Sequence, residues 1–265
     1  MPPEIREGRG EIEAAKGGKL PNLIELSDIK GDLHIHSKYS DGSNSIEEMV
    51  RAAIKLYREY IAITDHSKSQ AIARGLDQKR LRQQWHEIER LRKKYRQIKI
   101  LKGSEVDILL SGDLDFDNKI LSQFDIVIAS VHSAFKSPEK EMTKRIIKAL
   151  ENKYVTILAH PTGRIINRRP PYAVDLEQIF EIAREKKKLL EISAQTQRLD
   201  LNDINIKLAK EKGVEFVINT DSHSTEQLNW MLLGVSQARR GWIEKSDVVN
   251  TLKFRDLSKR LKLEI

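Results

Sequence analysis

The chain has 265 residues, 39% of them hydrophobic and 32% charged, which is enough apolar matter for a real core beneath a heavily solvated surface. It contains no cysteine, so disulfides and thiolate metal sites are excluded and any metal must sit among imidazoles and carboxylates. Lys and Arg outnumber Asp and Glu by 47 to 39, and the formal charge of +8 favours anionic partners such as nucleic acid without specifying one.

Residues 1–28 are rich in Gly and charge, carry Pro2, Pro3 and Pro21, and lack an apolar signal-like run. They read as a linker or tail of an upstream region, with residues 29–265 as the domain. Their composition predicts mobility unless packing against the domain overrides it. No stretch approaches a membrane span, so a cytoplasmic protein with no membrane partner is expected.

Beyond the tail, short apolar runs rich in β-branched residues recur at 30–35, 61–64, 99–104, 125–130, 155–159, 189–193 and 215–220. Helical periodicity fills most of the intervals. It is clearest over 77–97, where Leu81, Trp85, Ile88, Leu91 and Tyr95 recur every three or four residues. Ser45, before an acidic first turn, and Ser137, before Pro138, read as helix starts, and Gly213 as a helix stop. Strands alternating with helices predict an α/β fold with a parallel sheet. Site placement separates a doubly wound sheet from a barrel. Polar residues suited to metal binding follow almost every strand run, whereas a doubly wound sheet concentrates its site at one switch point. The expectation is therefore a (βα)7 barrel, TIM-like, with the site at the C-terminal face of the strands.

The candidate residues fall in five pieces. Asp32-Leu33-His34-Ile35-His36 puts two imidazoles on one strand face, because side chains alternate with period two, and Asp41 follows closely. His66 lies in a Thr-Asp-His-Ser run, Glu105 in Gly-Ser-Glu, and His132 and His160 follow the fourth and fifth runs. Asp221 and His223 again share a face. Six of the seven histidines fall just past strand runs, which chance placement does not readily produce; His86, inside the 77–97 helix, reads as a surface residue. The sixth run supplies no obvious ligand, and Asp65 reads as a residue that orients a ligand or caps the loop. Three carboxylates and six histidines exceed the needs of one ion and fit two or three, of zinc, manganese or iron. Multi-metal sites of this chemistry hydrolyse phosphoesters.

DLHIHSKYSDG, ITDHS, GSE, SVHS, AHPTGR and NTDSH resemble the successive motifs of the PHP (polymerase and histidinol phosphatase) family. The flanks PPEIREGRGEIEAA, TDHSKSQAIARGL, HPTGRIINRRPPY and GVSQARRGWIEKSDVVNTL are similar to the C-terminal domain of bacterial and archaeal family-X DNA polymerases, so the resemblance spans essentially the whole chain. It implies a distorted seven-stranded barrel with three divalent ions, Mn2+ or Zn2+, iron being a further option. By resemblance, His34, His36, Glu105 and Asp221 bind the first ion, Glu105, His132 and His160 the second, and Asp41, His66 and His223 the third. It also implies a 3′–5′ exonuclease that removes 3′-terminal phosphates, acts on DNA 3′ ends in repair, and works with a family-X polymerase core in cis or in trans.

On this reading Glu105, His132 and Asp221 serve catalysis by activating a metal-bound hydroxide that attacks a phosphodiester. Arg164, in the loop after the fifth run, contacts the phosphate in the transition state, and Arg164, Arg168, Arg169 and Arg198 are the substrate-binding candidates. The plainer view of these arginines is an exposed loop without a partner. The basic run 79–99 reads as the solvated outer face of a barrel helix rather than a DNA-binding face, and Trp230 and Trp242 as packing residues. No nucleotidyl-transfer region is present, so polymerase activity is not expected of these residues. The sixth-run loop reads Ile192-Ser193-Ala194-Gln195-Thr196 where the family more often shows Asn, which opens the way to a different substrate preference. Two alternatives stand beside the exonuclease: a small-molecule phosphatase of the histidinol-phosphatase type, and a non-catalytic structural module.

Overall fold

The computed structural model describes residues 1–263. Seven strands run in parallel and pair in chain order: β1 (Gly31–Ile35), β2 (Tyr60–Ile63), β3 (Lys99–Asp107), β4 (Ile126–Ser130), β5 (Ile157–Leu158), β6 (Leu189–Ser193) and β7 (Phe216–Asn219). β7 returns to β1 through a parallel bridge between Ile35 and Ser222, where the His36 N–H donates to the Ser222 carbonyl at 2.8 Å. The Asn219 side chain reinforces the seam by accepting from the Leu33 N–H at 3.0 Å. The result is a nearly closed, distorted (βα)7 barrel. It is covered by helices α1 (Glu11–Lys16), α2 (Ile46–Lys55), α3 (Gln78–Lys94), α4 (Asn118–Leu121), α5 (Glu139–Glu151), α6 (Leu176–Glu185), α7 (Asp203–Glu211), α8 (Met231–Arg240) and α9 (Phe254–Leu261).

The strands are buried on both faces, which is why they read as nearly continuous apolar runs rather than alternating ones. Ala62, Leu101, Ile126, Ile128, Ile157, Leu189 and Val217 pack into one cluster lining the barrel. Residues of the other parity, such as Ile61, Ile63 and Ile100, pack with α2 and α3. α9 closes the end where the strands begin: Leu257 joins the interior cluster, and the Phe254 ring lies 6.0 Å from that of Tyr60. Apolar layers thus fill the lower barrel and leave its upper end for polar side chains.

Local signals place the helices. Ser45 and Glu48 form a reciprocal capping box at α2, and the Asp77 carboxylate accepts from the Arg80 N–H at 2.8 Å to start α3. Ser137 is not a cap: α5 begins at Glu139, with Pro138, fixed in φ, at the cap position. β5 is shorter than its apolar run at both ends, the left-handed backbone of His160 (φ 28°) following on its C-terminal side, and β3 is longer, running through Glu105 to Asp107. The basic charge of α3 serves the scaffold in part, since Arg92 donates to the Ile100 carbonyl and to Asp125, and Lys94 pairs with Glu47. The N-terminal segment packs on α7 and α8: Ile5 is fully buried, Glu4 pairs with Arg239 at 2.7 Å, and Arg9 with Asp203 at 2.6 Å. No described helix is long and apolar enough to cross a membrane.

Candidate metal centre

Strand periodicity sends His34 and His36 to the same side of β1, with ring centroids 5.1 Å apart. The chain then turns tightly through 37–42. Gly42 lies so close to the His36 main chain that a Cβ there would sit 2.8 Å from it, so only glycine fits. Asp65 holds this turn by accepting from the Ser37 and Ser40 N–H groups at 2.8 and 3.2 Å, from both serine hydroxyls, and from the Gln84 amide. Asp65 therefore braces the loop that carries Asp41.

Glu105, fully inside at the top of β3, is the hub. One oxygen lies 3.4 Å from Nε2 of His34, 3.4 Å from Nε2 of His36 and 3.0 Å from Nδ1 of His66. The other lies 3.3 Å from Nε2 of His132 and 3.1 Å from Nε2 of His160, and accepts from the Ser130 hydroxyl at 2.6 Å. Asp221 approaches Nε2 of His36 and His34 at 3.2 and 3.6 Å, and Asp41 approaches Nε2 of His223 and His66 at 3.3 and 3.6 Å. His160 and Asp221 both hold left-handed backbones, at φ 28° and 51°, conformations that cost energy in non-glycine residues and here turn their side chains into the centre.

All nine residues named from the sequence thus converge. Three groups have one ligand atom each within 4.8 Å of all the others in the group: His34, His36, Glu105 and Asp221; His36, Asp41, His66 and His223; and His66, Glu105 and His132. The first is the set that the resemblance implied. In the others His36 and His66 are shared, and His160 approaches through Glu105 alone. Nε2 of His34, both ring nitrogens of His36, Nδ1 of His66 and Nδ1 of His160 are buried without any hydrogen-bond partner. Buried polar atoms left unpaired are costly, and five in one cluster of imidazoles and carboxylates fit divalent cations.

The electrostatics agree. Burial would raise the Glu105 carboxyl, but His66, His132 and His34 hold it well below its usual range. Asp41 and Asp221 are likewise lowered against burial, Asp41 through His223 and His66 and Asp221 through His34 and His36. His66 and His223 are raised to about 10 and about 9 because nearby carboxylates outweigh burial, whereas burial, His223 and His66 push His36 down to about 4. All three carboxylates stay ionised, Glu105 and Asp221 buried and Asp41 at the exposed mouth, and together they draw positive charge in.

Two carboxylates that matter were not read from the sequence. Glu191, on β6, accepts from Nδ1 of His34 at 2.7 Å and from the His160 N–H at 2.9 Å. The sixth strand thus adds no candidate ligand but a carboxylate that orients His34; the signal was a lone Glu in the middle of the apolar run LLEIS. Asp107 sits 2.6 Å from Nδ1 of His132 and also accepts from Ser69. Its signal was the Glu105-Val106-Asp107 spacing, which puts both acids on one strand face. Each carboxylate fixes its imidazole's ring orientation and leaves Nε2 for the centre.

The arginines separate. Arg198 is the arginine that lines the metal cavity of about 450 Å³, with Nε 3.9 Å from Asp221 and one terminal nitrogen buried without a partner. Arg164, Arg168 and Arg169 line a neighbouring depression. Arg164 donates to the carbonyls of Arg198, at 2.7 Å, and Leu199; Arg169 donates to the Gly163 carbonyl and lies 3.6 Å above the Phe135 ring. Arg168 is exposed, and so is His86.

The profile of the PHP domain family matches residues 32–195. The chain is 48% identical over 262 residues to the DNA polymerase/3′–5′ exonuclease PolX of Bacillus subtilis (strain 168), covering 99% of this chain but 46% of that protein, so it spans about half the relative's length. It is 31% identical to a protein named "Probable phosphatase" of Thermoanaerobacter sp. (strain X514), over 83% of this chain and 89% of that one. In three dimensions it resembles the histidinol phosphate phosphatase of Lactococcus lactis, solved with zinc, L-histidinol and phosphate. The TM-score is 0.57 at 22% identity, covering 79% of this chain and 93% of that one, a likeness of fold.

Proposed function

The chain belongs to the PHP domain family, and on that premise we propose that it is a metal-dependent phosphoesterase that trims DNA 3′ ends, a 3′–5′ exonuclease. The observation that carries the reading is Glu105, one buried carboxylate facing five imidazoles. His34, His36, Glu105 and Asp221 would hold one ion, Glu105, His132 and His66 or His160 a second, and His36, Asp41, His66 and His223 a third. Manganese and zinc both suit this nitrogen and oxygen donor set. Bound divalent ions supply Lewis acidity and acidify water near neutral pH.

The chain's own residues set the geometry. Asp107 and Glu191 orient His132 and His34, and Asp65 steadies the loop of Asp41. Arg198 turns its unpaired nitrogen toward a non-bridging phosphate oxygen and offsets charge that builds up in the transition state. Arg164 acts through Arg198: by bonding the carbonyls of Arg198 and Leu199 it positions that loop rather than touching the phosphate itself. Arg169 supports the same rim, and Arg168 remains available to a more distant phosphate. A water oxygen bonds to phosphorus, the bond to the O3′ of the penultimate nucleotide breaks, and a nucleoside 5′-monophosphate leaves behind a new 3′-hydroxyl. The same centre suits removal of a 3′-terminal phosphate.

A second reading, a phosphatase of small monoesters, draws on the phosphatase-named relative, which this chain covers over most of its length. One assay separates them. Manganese-loaded protein is incubated with labelled 3′-recessed and single-stranded DNA, beside His132→Ala. Stepwise shortening from the 3′ end that the substitution abolishes is the expected result. Intact DNA together with rapid hydrolysis of small monoesters selects the second reading.

A further inference from the structure

The metal-site cavity adjoins a second one of different chemistry. A space of about 590 Å³ lies between the loops after β2 and β3, lined by Ser69, Asp107, Leu109, Leu110 and Ser111 among others, and it shares Gln70 and His132 with the metal cavity. No lysine or arginine lines it. Its acid, Asp107, is already bonded to His132, Ser69 and Gln70. A phosphate entering here would meet a carboxylate and no cation; a neutral, partly apolar group would not.

Leu110 is 71% exposed and Leu109 36% exposed, on the rim of this space. A single exposed leucine is ordinary. These two are consecutive and are held outward by a braced turn. The Leu109 N–H donates to the Asp113 carbonyl at 2.8 Å and the Gly112 N–H to the Leu109 carbonyl at 2.9 Å. Gly112 is left-handed at φ 82°, where a Cβ would come within 3.0 Å of the Arg145 carbonyl. From below, the Arg145 guanidinium donates to the carbonyls of Ile108, Leu109 and Ser133, and Lys148 to that of Ser111 at 3.0 Å. Helix α5 thus fixes the backbone of a turn that leaves Leu110 largely uncovered and Leu109 partly so.

We propose that this cavity receives the 3′-terminal nucleoside of the substrate, its base lying against Leu109 and Leu110, while the rest of the strand leaves over the arginine-bearing loop 164–169. The inference rests on the exonuclease reading and gives it a direction. Across the metal centre, the Arg198 side is cationic and suits the polyanion. No lysine or arginine lines the Leu110 side, where Arg145 and Lys148 are engaged by backbone carbonyls from below, and it suits the one end group that carries no further phosphate. Apolar contact with a base face is indifferent to which base it is, so trimming is tolerant of sequence.

The test compares two single-stranded oligonucleotides that differ only in the last residue, a normal nucleoside or an abasic tetrahydrofuran sugar, using the manganese-loaded full chain. Wild type should remove the normal end roughly fivefold faster at low substrate, the effect expected from burying part of one base face against aliphatic side chains. Leu110→Ala and Leu109→Ala should bring that ratio toward one. Because both ends are read on the same protein, partial misfolding cancels from the ratio. A 3′-terminal 2-aminopurine, read without turnover in calcium, should change its fluorescence on binding wild type and not Leu110→Ala. A preference that survives both substitutions overturns the proposal while leaving the exonuclease standing. Failure of wild type to remove either end removes the exonuclease reading itself, and the nucleoside subsite with it.

Discussion

Oε1 of Glu191 lies 2.7 Å from Nδ1 of His34, with both side chains fully buried, and the other oxygen of the same carboxylate accepts from the His160 N–H at 2.9 Å. A strand that offers no candidate ligand of its own therefore orients the His34 ring and ties down the backbone of His160. Asn219 adds a third tie by donating to Glu191 at 3.0 Å, so β1, the β5 loop, β6 and β7 meet on one side chain.

Glu191→Gln should keep the fold and weaken Mn2+ binding by roughly ten- to a hundredfold, the usual cost of losing a ligand's carboxylate partner. Equilibrium dialysis with atomic absorption measures it, and circular dichroism checks the fold. Affinity equal to wild type would make Glu191 only a packing residue.

Asp107→Asn should act chiefly through His132, although Ser69 and Gln70 also bond this carboxylate. The amide can present its NH2 where the carboxylate accepted, turning the imidazole away from Glu105, and kcat should fall by roughly tenfold or more with little change in KM. An effect confined to KM would show that Asp107 serves the neighbouring cavity instead.

Arg198→Ala should raise KM for DNA and lower kcat/KM by roughly ten- to a hundredfold, as expected from losing a charge-assisted bond to phosphate. Arg164→Ala should give a smaller loss in the same direction, because it removes only the brace of that loop. If Arg164→Ala proves the more damaging, the phosphate contact belongs to Arg164.

Metal binding should weaken as pH falls. His66 and His223 titrate at about 10 and about 9 in the metal-free protein, so below those values an incoming cation must displace a proton from each imidazole. Affinity should rise from pH 6 to pH 8, with protons released on binding, measured by titration calorimetry in buffers of different ionisation heat. Chelation should lower the melting temperature, since binding to the folded state alone stabilises it by mass action. Proton-neutral binding would remove these imidazoles from the ligand set.

Ser45→Ala should cost about 1 kcal/mol in urea unfolding by removing one half of the capping box of α2, and leave activity per folded molecule unaltered. A loss of activity without a loss of stability would tie α2 to the site more closely than its packing indicates.

Much of the fold was legible because its signals are local. Apolar runs such as IAIT and DIVIAS announce strands buried on both faces, and a histidine or acid just past nearly every run announces a barrel with its polar end at the strand C-termini. His34 and His36 share a face through nothing more than the two-residue repeat. Segment ends were less legible: β5 stops early at the turn of His160, and β3 runs on through Glu105.

What the sequence alone determined was therefore the kind of chemistry and the set of side chains available for it: strand alternation, six histidines past strand runs, and no thiolate. Only the tertiary structure decided which of them share a ligand group, that Glu191 and Asp107 aim the imidazoles, that Arg164 and Arg169 spend donors on backbone carbonyls while Arg198 keeps one free, and that two leucines face an unfilled cavity. The reason is distance along the chain. His34 and Glu191 are 157 residues apart, and no periodicity links them until the barrel closes and brings every strand end to one rim.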